Sequence, residues 1–334
     1  MKAAVLCGRR KMRIDSIDTP RVKDYDVLIR VKAASICGTD VHFYKGEVGK
    51  YAPKILGHDF SGVIEEVGKN VREFSKSDRV IAEIVRYCGN CNFCKAGNYQ
   101  ICMNASYMGF DIDGAFAEYV VAPAKNVFKI PDNVSFEEAA IMEPVALALH
   151  VMDFVQPKIG EAMAILGQGP VGLVQTQIAK LCGMKVIAVE QKEERLKLAR
   201  EFGADYIINP TKQNLKDAVL DITNGLGADF CVEAVGLQET VDQTVEITKK
   251  GGKIILVGES KGLRGPPIRH EDMTWFALSD GGTNKYPIAL DLVSKGKINV
   301  KRLITHEVAL DKLPQTMESL ADGKMVAIKV VVKP

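Results

Sequence analysis

The chain has 334 residues, of which 47% are hydrophobic and 26% are charged, a balance that is ordinary for a globular protein. This length exceeds the usual size of a single hydrophobic core and predicts two domains. No apolar run approaches the ~18 residues that a membrane span requires, and a formal net charge of +2 gives no electrostatic reason to expect nucleic acid. We therefore expect a small-molecule partner, and neither nucleic acid nor a membrane.

The N-terminal stretch MKAAVLCGRRKMR places an apolar segment before a basic cluster, which is the reverse of a secretory signal. We therefore expect the chain to be cytoplasmic, where thiols stay reduced. Strand-like, glycine-rich segments such as DVLIRVKAASIC and FSGVIEEVG then predict a compact β-rich first half. Cys37, His58, Asp59 and Glu143 lie in this half, and each taken alone is explained as a buried thiol, a core histidine or a solvated acid.

A cluster of cysteines follows, with the spacing CxxCxxCxxxxxxxC: Cys88, Cys91, Cys94 and Cys102. In a reducing compartment this density favours metal over disulfides. Four thiolates fill a tetrahedral zinc shell, so we predict a structural zinc site with no open position. An iron–sulfur cluster is an alternative, although the last cysteine lacks the following proline that is usual in ferredoxins. Unliganded cysteines are another, and a nucleic-acid-binding finger is disfavoured because the loop carries only Arg86 and Lys95 as cations.

A dinucleotide-binding pattern begins near residue 163, where the apolar run MAIL leads into Gly167-x-Gly169-xx-Gly172 and a helix. The first glycine allows a sharp turn, the second lets a pyrophosphate approach the backbone, and the third allows close packing. The next strand, KVIAV, is followed by Glu190, whose carboxylate can bind both ribose hydroxyls of an adenosine. A coincidental glycine-rich turn between strand and helix is the alternative.

Alternating helical and strand-like segments continue to about residue 280 and predict a doubly wound parallel sheet. Glu190 would repel a 2′-phosphate, which favours NAD over NADP, although Lys192 and Arg195 are near enough to weaken this preference. The predicted cofactor-binding residues are Gly167, Gly169, Pro170, Val171, Gly172, Glu190, Arg195 and Val257.

Several motifs, taken in order, resemble those of the zinc-dependent medium-chain alcohol dehydrogenase family. They are the run CGTDVH at 37–42, the pattern GHDxxGxxxxxGxxV at 57–71, the four-cysteine loop, the Glu143–Pro144 pair and the glycine-rich turn. The match covers nearly the whole chain. The CGTDVH and Glu-Pro details are similar to the polyol (sorbitol-type) and threonine dehydrogenase branches.

The resemblance implies a β-rich GroES-like catalytic domain at residues 1–147 and 284–334, with an NAD-binding Rossmann domain inserted at 148–283. It implies two zinc ions per chain: a structural ion in the four-cysteine loop, and a catalytic ion on Cys37, His58 and an acid. That acid is Asp59 or Glu143, depending on the branch. Because the family usually has glutamate at the position of Asp59, and aspartate reaches about 1 Å less, we rank Glu143 slightly higher.

In the family, hydride passes from the alcohol to the nicotinamide at a cleft between the domains. The resemblance implies that Thr39 takes the alcohol proton, that a ribose hydroxyl passes it to His42, and that Asp40 orients the ring of His58. Without the resemblance, these three residues are explained as a turn residue, a surface histidine and a helix cap. Ser77 replaces a glycine of the family, and we expect this change to cost little.

We expect the substrate to be a secondary alcohol of the polyol, diol or sugar-alcohol type, with or without a phosphate group. Polyol dehydrogenases commonly have an arginine and an aromatic residue where this chain has Gly281 and Gly282, which indicates a differently shaped pocket. A threonine dehydrogenase-like activity and a non-catalytic zinc- and nucleotide-binding regulator are the alternatives. Candidate pocket residues are Tyr44, Tyr51, Phe110 and Phe116, and candidate anion-binding residues are Lys45, Lys50, Arg269 and His270.

The apolar run TWFALSD, residues 274–280, would lie at the edge of the nucleotide-binding sheet. An uncovered sheet edge invites pairing with another chain. In the family this edge pairs across a dimer, and related branches are often tetramers, so we expect a homodimer or a homotetramer.

Overall fold

The computed structural model describes residues 1–49, 54–259, 262, 264–265, 271–278 and 282–334. The chain divides into two compact units, of which the first comprises Met1–Ala146 and Gly282–Pro334 and the second Leu147–Gly281. Strands dominate the first unit, whereas strands and helices alternate in the second. This organisation confirms the predicted fold class, a β-rich domain together with a doubly wound parallel sheet.

The part of the chain before the division contains short strands and few helices. Its elements are β1 (Lys2–Gly8), β2 (Lys11–Ser16), β3 (Asp26–Ser35), α1 (Gly38–Lys45), β4 (Lys54–Ile55), β5 (Asp59–Val67), β6 (Arg79–Ala82), β7 (Val85–Arg86), α2 (Asn92–Lys95), β8 (Ser106–Tyr107), β9 (Tyr119–Pro123), β10 (Val127–Lys129), α3 (Phe136–Ala139) and α4 (Met142–Val155). The division between the units falls within α4.

Regular alternation follows in the second unit: β11 (Ala162–Leu166), α5 (Pro170–Leu181), β12 (Lys185–Val189), α6 (Glu193–Glu201), β13 (Tyr206–Ile208), α7 (Leu215–Ile222), β14 (Ala228–Glu233), α8 (Gln238–Ile247), β15 (Thr248–Leu256) and β16 (Thr274–Ala277). The chain then returns to the first unit with α9 (Tyr286–Ser294), β17 (Ile304–Ala309), α10 (Leu313–Ala321) and β18 (Lys329–Lys333).

The main sheet of the first unit runs in the order β10-β6-β5-β3-β18-β17, and β9 also pairs with β3. Strand β3 is buried at every residue except Arg30 and Lys32, as expected for a strand at the centre of a sheet. Its last residue, Ser35, pairs with Asp59 of β5 on one side and with Val331 of β18 on the other. The sheet therefore brings the beginning of β5 and the C-terminal strand to the same end of β3.

The sheet of the second unit is parallel throughout, in the order β13-β12-β11-β14-β15-β16. Strand β11, with the sequence AMAIL, is buried along its whole length, which explains why its pattern is continuously apolar rather than alternating. Strand β16 forms the edge, and Trp275 on it is 51% exposed. The rest of the predicted edge segment includes Ser279 and Asp280, which lie outside the described residues. None of the helices in the described part of the chain has the length and apolar character needed to cross a bilayer.

Candidate active site and metal centres

The four-cysteine loop folds so that its sulfur atoms converge. Strand β7 leads into the loop, Gly89 and Gly97 turn it with φ angles of 82° and 80°, and α2 carries the third cysteine. All four sulfurs lie within 4.8 Å of one another. Separations of 3.5 to 3.9 Å join Cys88 to Cys102, Cys88 to Cys94 and Cys91 to Cys102. A tetrahedral zinc with bonds of about 2.3 Å places its sulfurs about 3.8 Å apart, so the loop fits this ion.

Backbone N–H groups favour the thiolate form in this loop. N–H groups of Asn90 and Cys91 lower the pKa of Cys88 to about 6. Those of Cys94 and Met103 lower the pKa of Cys91. Burial instead raises the pKa of Cys94 to about 12, and a bound cation supplies the positive charge that keeps such a thiolate ionised. The loop therefore has the donors and the hydrogen bonds of a closed thiolate site.

A second group of donors forms where β3, α1 and β5 meet. Cys37 precedes α1, His58 precedes β5, and Asp59 is the first residue of that strand. Their donor atoms lie within 4.8 Å of one another, and the side chains of His58 and Asp59 are buried. A thiolate, an imidazole and a carboxylate are the ligand types that catalytic zinc sites combine.

The two carboxylate oxygens of Asp59 have different surroundings. Lys329 Nζ donates to Oδ2 at 2.8 Å, and the hydroxyl of Ser35 donates to the same oxygen at 3.3 Å. Oδ1 is buried with no hydrogen-bond partner among the described residues and lies 3.8 Å from His58 Nε2. Leaving a buried acceptor unsatisfied costs about 1–3 kcal/mol. A cation between Cys37, His58 and Asp59 would satisfy this oxygen.

Lys329 is a part of this site that the sequence analysis missed. It is 2% exposed, and its ammonium also donates to Ser35 Oγ at 3.0 Å. Burial lowers the pKa of Lys329, but the charge of Asp59 outweighs this and raises the pKa above its usual value. The only signal in the sequence was a lysine within the apolar segment VAIKVVV.

Glu143 occupies the first turn of α4 and is half-buried. Within the described part of the chain, its carboxylate is not in the group of donors that lie within 4.8 Å of one another. Its negative charge acts on Lys329, whose pKa it helps to raise. Of the two candidate acids, Asp59 is therefore the one whose carboxylate lies within 4.8 Å of the donor atoms of both Cys37 and His58.

The short helix α1 carries the residues predicted to act beside the metal. Asp40 is fully buried and accepts hydrogen bonds from the backbone N–H groups of Cys37 at 2.9 Å and Gly57 at 3.2 Å. Its Oδ1 also lies 3.6 Å from His58 Nδ1, which is beyond ordinary hydrogen-bond length. Burial lowers the pKa of His58, but Asp40 and Asp59 outweigh this and raise it. Asp40 thus caps the helix and also faces the imidazole.

Thr39 and His42 are three positions apart on α1 and so share a face of the helix. The Oγ1 of Thr39 lies 3.8 Å from Cys37 Sγ. His42 is partly exposed, and its Nδ1 lies 2.6 Å from the carboxylate of Glu47. A hydrogen bond from Lys45 and a second one from His42 lower the pKa of the Glu47 carboxyl below its usual value. Glu47 is thus a partner of His42, and it is a second residue, after Lys329, that the sequence analysis did not identify.

The candidate pocket residues have different positions. The ring of Phe110 lies 4.9 Å from that of His58 and stacks on Phe43 at 4.6 Å. By contrast, Tyr44 is buried with its hydroxyl 2.5 Å from Glu318, and Phe116 is fully buried in the core, so both are packing residues and not pocket residues. Of the other candidates, the following lie outside the described residues: Lys50, Tyr51, Arg269, His270 and Gly281.

The glycine-rich turn after β11 has the geometry expected for a pyrophosphate site. Gly167 has a φ of 89°, which favours glycine. A Cβ on Gly172 would collide with the carbonyl oxygen of Gly167, whereas a Cβ on Gly169 would have nothing within 4 Å. Helix α5 begins at Pro170 and Val171 directly after this open position, so its N-terminal N–H groups are available to an anion.

Glu190 follows β12 at the carboxyl edge of the parallel sheet. Its carboxylate accepts hydrogen bonds from the backbone N–H groups of Gln168 at 2.9 Å, Gln191 at 2.9 Å and Lys192 at 3.1 Å. Arg195 lies 3.6 Å from it. Val257 follows β15 at the same edge. Dinucleotides bind at this edge of such sheets.

Two family models match the chain: the Alcohol dehydrogenase GroES-like domain over residues 23–132 and the Zinc-binding dehydrogenase model over residues 170–295. Sorbitol dehydrogenase of Bacillus subtilis is 34% identical, over 100% of this chain and 97% of that protein. D-arabitol-phosphate dehydrogenase of Enterococcus avium is 32% identical, over 98% and 96%. L-threonine 3-dehydrogenase of Pyrococcus furiosus is 34% identical, over 95% and 94%.

Among solved structures, alcohol dehydrogenase TADH from Thermus sp. ATN1 superimposes with a TM-score of 0.93 and 28% identity, covering 100% of this chain and 99% of that one. The predicted zinc and NAD cofactors are typical of these proteins. Because a relative that is 34% identical aligns with the whole length of the chain, and both family models match, the chain belongs to the zinc-dependent medium-chain alcohol dehydrogenase family.

Proposed function

We propose that this chain oxidises a secondary alcohol with NAD at a zinc site formed by Cys37, His58 and Asp59. One observation carries the proposal. The buried Oδ1 of Asp59 has no hydrogen-bond partner among the described residues, and the three donor atoms lie within 4.8 Å of one another. This arrangement favours Asp59 over Glu143 as the third ligand, with Glu143 as a more distant charge. Cys88, Cys91, Cys94 and Cys102 would hold the structural zinc.

A zinc ion held by Cys37, His58 and Asp59 would keep one coordination position open and would supply Lewis-acid chemistry to the alcohol oxygen. Thr39 lies next to Cys37 and would accept the alcohol proton, because a hydroxyl can both accept and donate. His42, on the same face of α1 and partly exposed, would release that proton to solvent. Asp40 would hold the ring of His58 from its Nδ1 side.

The substrate that we propose is a polyol, diol or sugar alcohol. Two of the relatives are named for sorbitol and D-arabitol phosphate, and these names support this substrate class. The second name is the reason to include phosphorylated polyols among the substrates tested. Gly282 stands where polyol dehydrogenases commonly carry a large side chain, so we expect a pocket of different shape. Threonine is the second candidate, because a relative of equal identity is an L-threonine 3-dehydrogenase.

The nucleotide would bind the second unit through the turn at Gly167, Gly169 and Gly172, with its adenosine ribose on Glu190. NAD is preferred over NADP because a 2′-phosphate would meet this carboxylate. The guanidinium of Arg195 lies 3.6 Å from the carboxylate of Glu190. Because this carboxylate offsets its positive charge, Arg195 attracts a 2′-phosphate less strongly. We assign catalysis to residues 1–146 and 282–334, and nucleotide binding to 147–281.

We also propose that the chain forms a homodimer or homotetramer through β16. This strand lies at the end of the sheet order, and exposed Trp275 lies on it. An edge strand of this kind is open to pairing. The free thiols of the four-cysteine loop need a reducing compartment, which supports the cytoplasm as its location.

The activity is tested by a substrate screen that follows NADH absorbance with diols, pentitols, hexitols, their phosphates and threonine, with NADP as a parallel arm. We expect turnover with a polyol or diol and NAD. In the Cys37→Ser variant, turnover should be lost while NAD binding, measured by calorimetry, is retained. A Cys7→Ser variant is the control, since Cys7 is exposed on β1. Turnover by Cys37→Ser at the wild-type rate would exclude the proposed metal site.

A further inference from the structure

Glu233 is a buried acid for which the proposed chemistry has no use. It is the last residue of β14 and is 0% exposed. One oxygen, Oε1, accepts hydrogen bonds from the backbone N–H groups of Val235 and Gly236, both at 2.9 Å. The hydroxyl of Thr240 lies 2.7 Å from the same oxygen and 2.8 Å from the carbonyl oxygen of Leu237, and its one hydrogen is shared between these two acceptors. The other, Oε2, has no hydrogen-bond partner among the described residues. A carboxylate is thus buried to bind the loop that directly follows its own strand.

This loop, residues 234–236, lies against the glycine-rich turn. A Cβ on Gly167 would meet Val235 Cγ2 at 2.7 Å and the carbonyl oxygen of Ala234 at 3.1 Å. The backbone N–H of Ala234 also donates to Leu166 at the end of β11. Val235, although apolar, is 42% exposed at this edge of the sheet. The position of the loop therefore shapes one wall of the turn.

The end of the neighbouring strand β15 is also hydrogen-bonded to Glu233. The backbone N–H groups of Val257 and Gly258, which follow β15, both donate to the carbonyl oxygen of Glu233 at 2.9 Å. A Cβ on Gly258 would lie 2.3 Å from the backbone N of Gly236 and 2.5 Å from Oε2, so glycine there leaves room for both the 234–236 loop and the carboxylate. Glu233 thus connects the ends of β14 and β15, and through its loop the end of β11.

We propose that Glu233 is a positioning residue for the dinucleotide: it holds the 234–236 loop against the glycine-rich turn and so preserves the surface that receives the cofactor. The inference rests on the proposed function, because it takes dinucleotide binding at this edge as given. Without the carboxylate, the buried N–H of Gly236 and the part-buried N–H of Val235 lose their acceptor, and the loop must move for the buried group to reach water. Nucleotide affinity would then fall because the binding surface is no longer formed in advance.

The test compares NAD binding by calorimetry in the full-length, zinc-loaded protein and in three variants. Glu233→Leu keeps the volume but removes the acceptor, and we expect its Kd for NAD to rise about tenfold or more. Glu233→Gln keeps one oxygen for the three donors and should stay within about threefold of the wild type. The control is Glu239→Leu, whose side chain is exposed on α8 and, among the residues that the structure describes, accepts a hydrogen bond from Gln243; this variant should bind NAD as the wild type does.

If the role of Glu233 is purely structural, Glu233→Leu lowers the stability of the protein without lowering its affinity for NAD. The unfolding midpoint and the zinc content of each variant are therefore measured in parallel. If Glu233→Leu does not fold, Thr240→Val removes the hydroxyl that contacts Oε1 and the carbonyl oxygen of Leu237, and it should weaken NAD binding about two- to fivefold. Wild-type affinity in Glu233→Leu, or in Thr240→Val when the former does not fold, would overturn the positioning role and leave the proposed function intact. A wild-type protein that binds no NAD would overturn both.

Discussion

Asp59 shows how single contacts support the third zinc ligand that we propose. Side-chain length ranked Glu143 above Asp59, because aspartate reaches less far. The position of each acid on the backbone is a second factor, which side-chain length does not include. Asp59 follows His58 directly at the start of β5, so its backbone is already close, and Lys329 holds its other oxygen. The contact joins residues 270 positions apart, so no local motif reveals it.

Lys329→Met tests this pair. Removing the ammonium leaves a buried carboxylate without its cation, which should destabilise the zinc-free protein by about 3 kcal/mol or more. Bound zinc would supply positive charge to the same carboxylate, so the loss should be smaller in the zinc-loaded protein. Urea unfolding with and without chelator measures both values. The matched control is Lys333→Met on the same strand, since the side chain of Lys333 is exposed and forms ion pairs with the partly exposed Glu137 and the exposed Glu307.

If Lys329→Met and Lys333→Met unfold at the same urea concentration in the zinc-free state, the buried pair contributes nothing measurable. An equal loss with and without zinc would mean that zinc does not contact Asp59.

Glu190→Ala tests cofactor choice. The carboxylate is expected to accept the ribose hydroxyls of NAD and to repel a 2′-phosphate. Its removal should raise the Kd for NAD about tenfold and that for NADP much less, so that the preference for NAD narrows. Because Glu190 also holds the N–H of Gln168, some loss for both nucleotides is expected. The control is Glu194→Ala, because Glu194 is exposed on α6. Equal losses of affinity for NAD and NADP in the Glu190→Ala variant would contradict the argument that Glu190 selects NAD.

Among the elements, the glycine-rich turn and the four-cysteine loop were predictable because each is encoded within a short segment. Gly167, Gly169 and Gly172 have three different steric environments, each of which follows from its position in the motif. The turn before β6 contains Ser77, which replaces a glycine of the family. Ser77 has a φ of 77°, a left-handed conformation that side chains with a Cβ rarely adopt.

Ser77→Gly should therefore stabilise the protein. Relief of left-handed strain is worth about 1–2 kcal/mol, and the greater freedom of glycine in the unfolded chain offsets about 0.4–1 kcal/mol of it. A net gain of about 0.5 kcal/mol is expected in urea unfolding. The hydrogen bond from the backbone N–H of residue 77 to the carbonyl oxygen of Ile64 is retained in this variant, since it does not involve the side chain. Ser77→Ala keeps the strain and serves as the control; a glycine variant less stable than the alanine variant would contradict this.

At the scale of the whole molecule, the sequence predicted the fold class because its periodicity changes near residue 163, from glycine-rich strands to alternating strands and helices. The contacts that complete the site were not predictable from periodicity. Ser35, Asp59 and Lys329 meet only because β5 and β18 flank β3, and this strand order follows from the packing of the entire first unit. Glu233 was missed for a similar reason, since a buried acid at a strand end has no distinctive local spacing.

The central claim is that Cys37, His58 and Asp59 hold a zinc ion distinct from the one in the four-cysteine loop. Anomalous diffraction from crystals of the zinc-loaded protein, recorded on both sides of the zinc absorption edge, tests it most directly. We expect two peaks per chain, one among the four thiolates and one in contact with all three of these residues, at bond lengths of about 2.0–2.3 Å. A peak only in the four-cysteine loop, or a second ion bound by Glu143 with Asp59 turned away, would contradict the account.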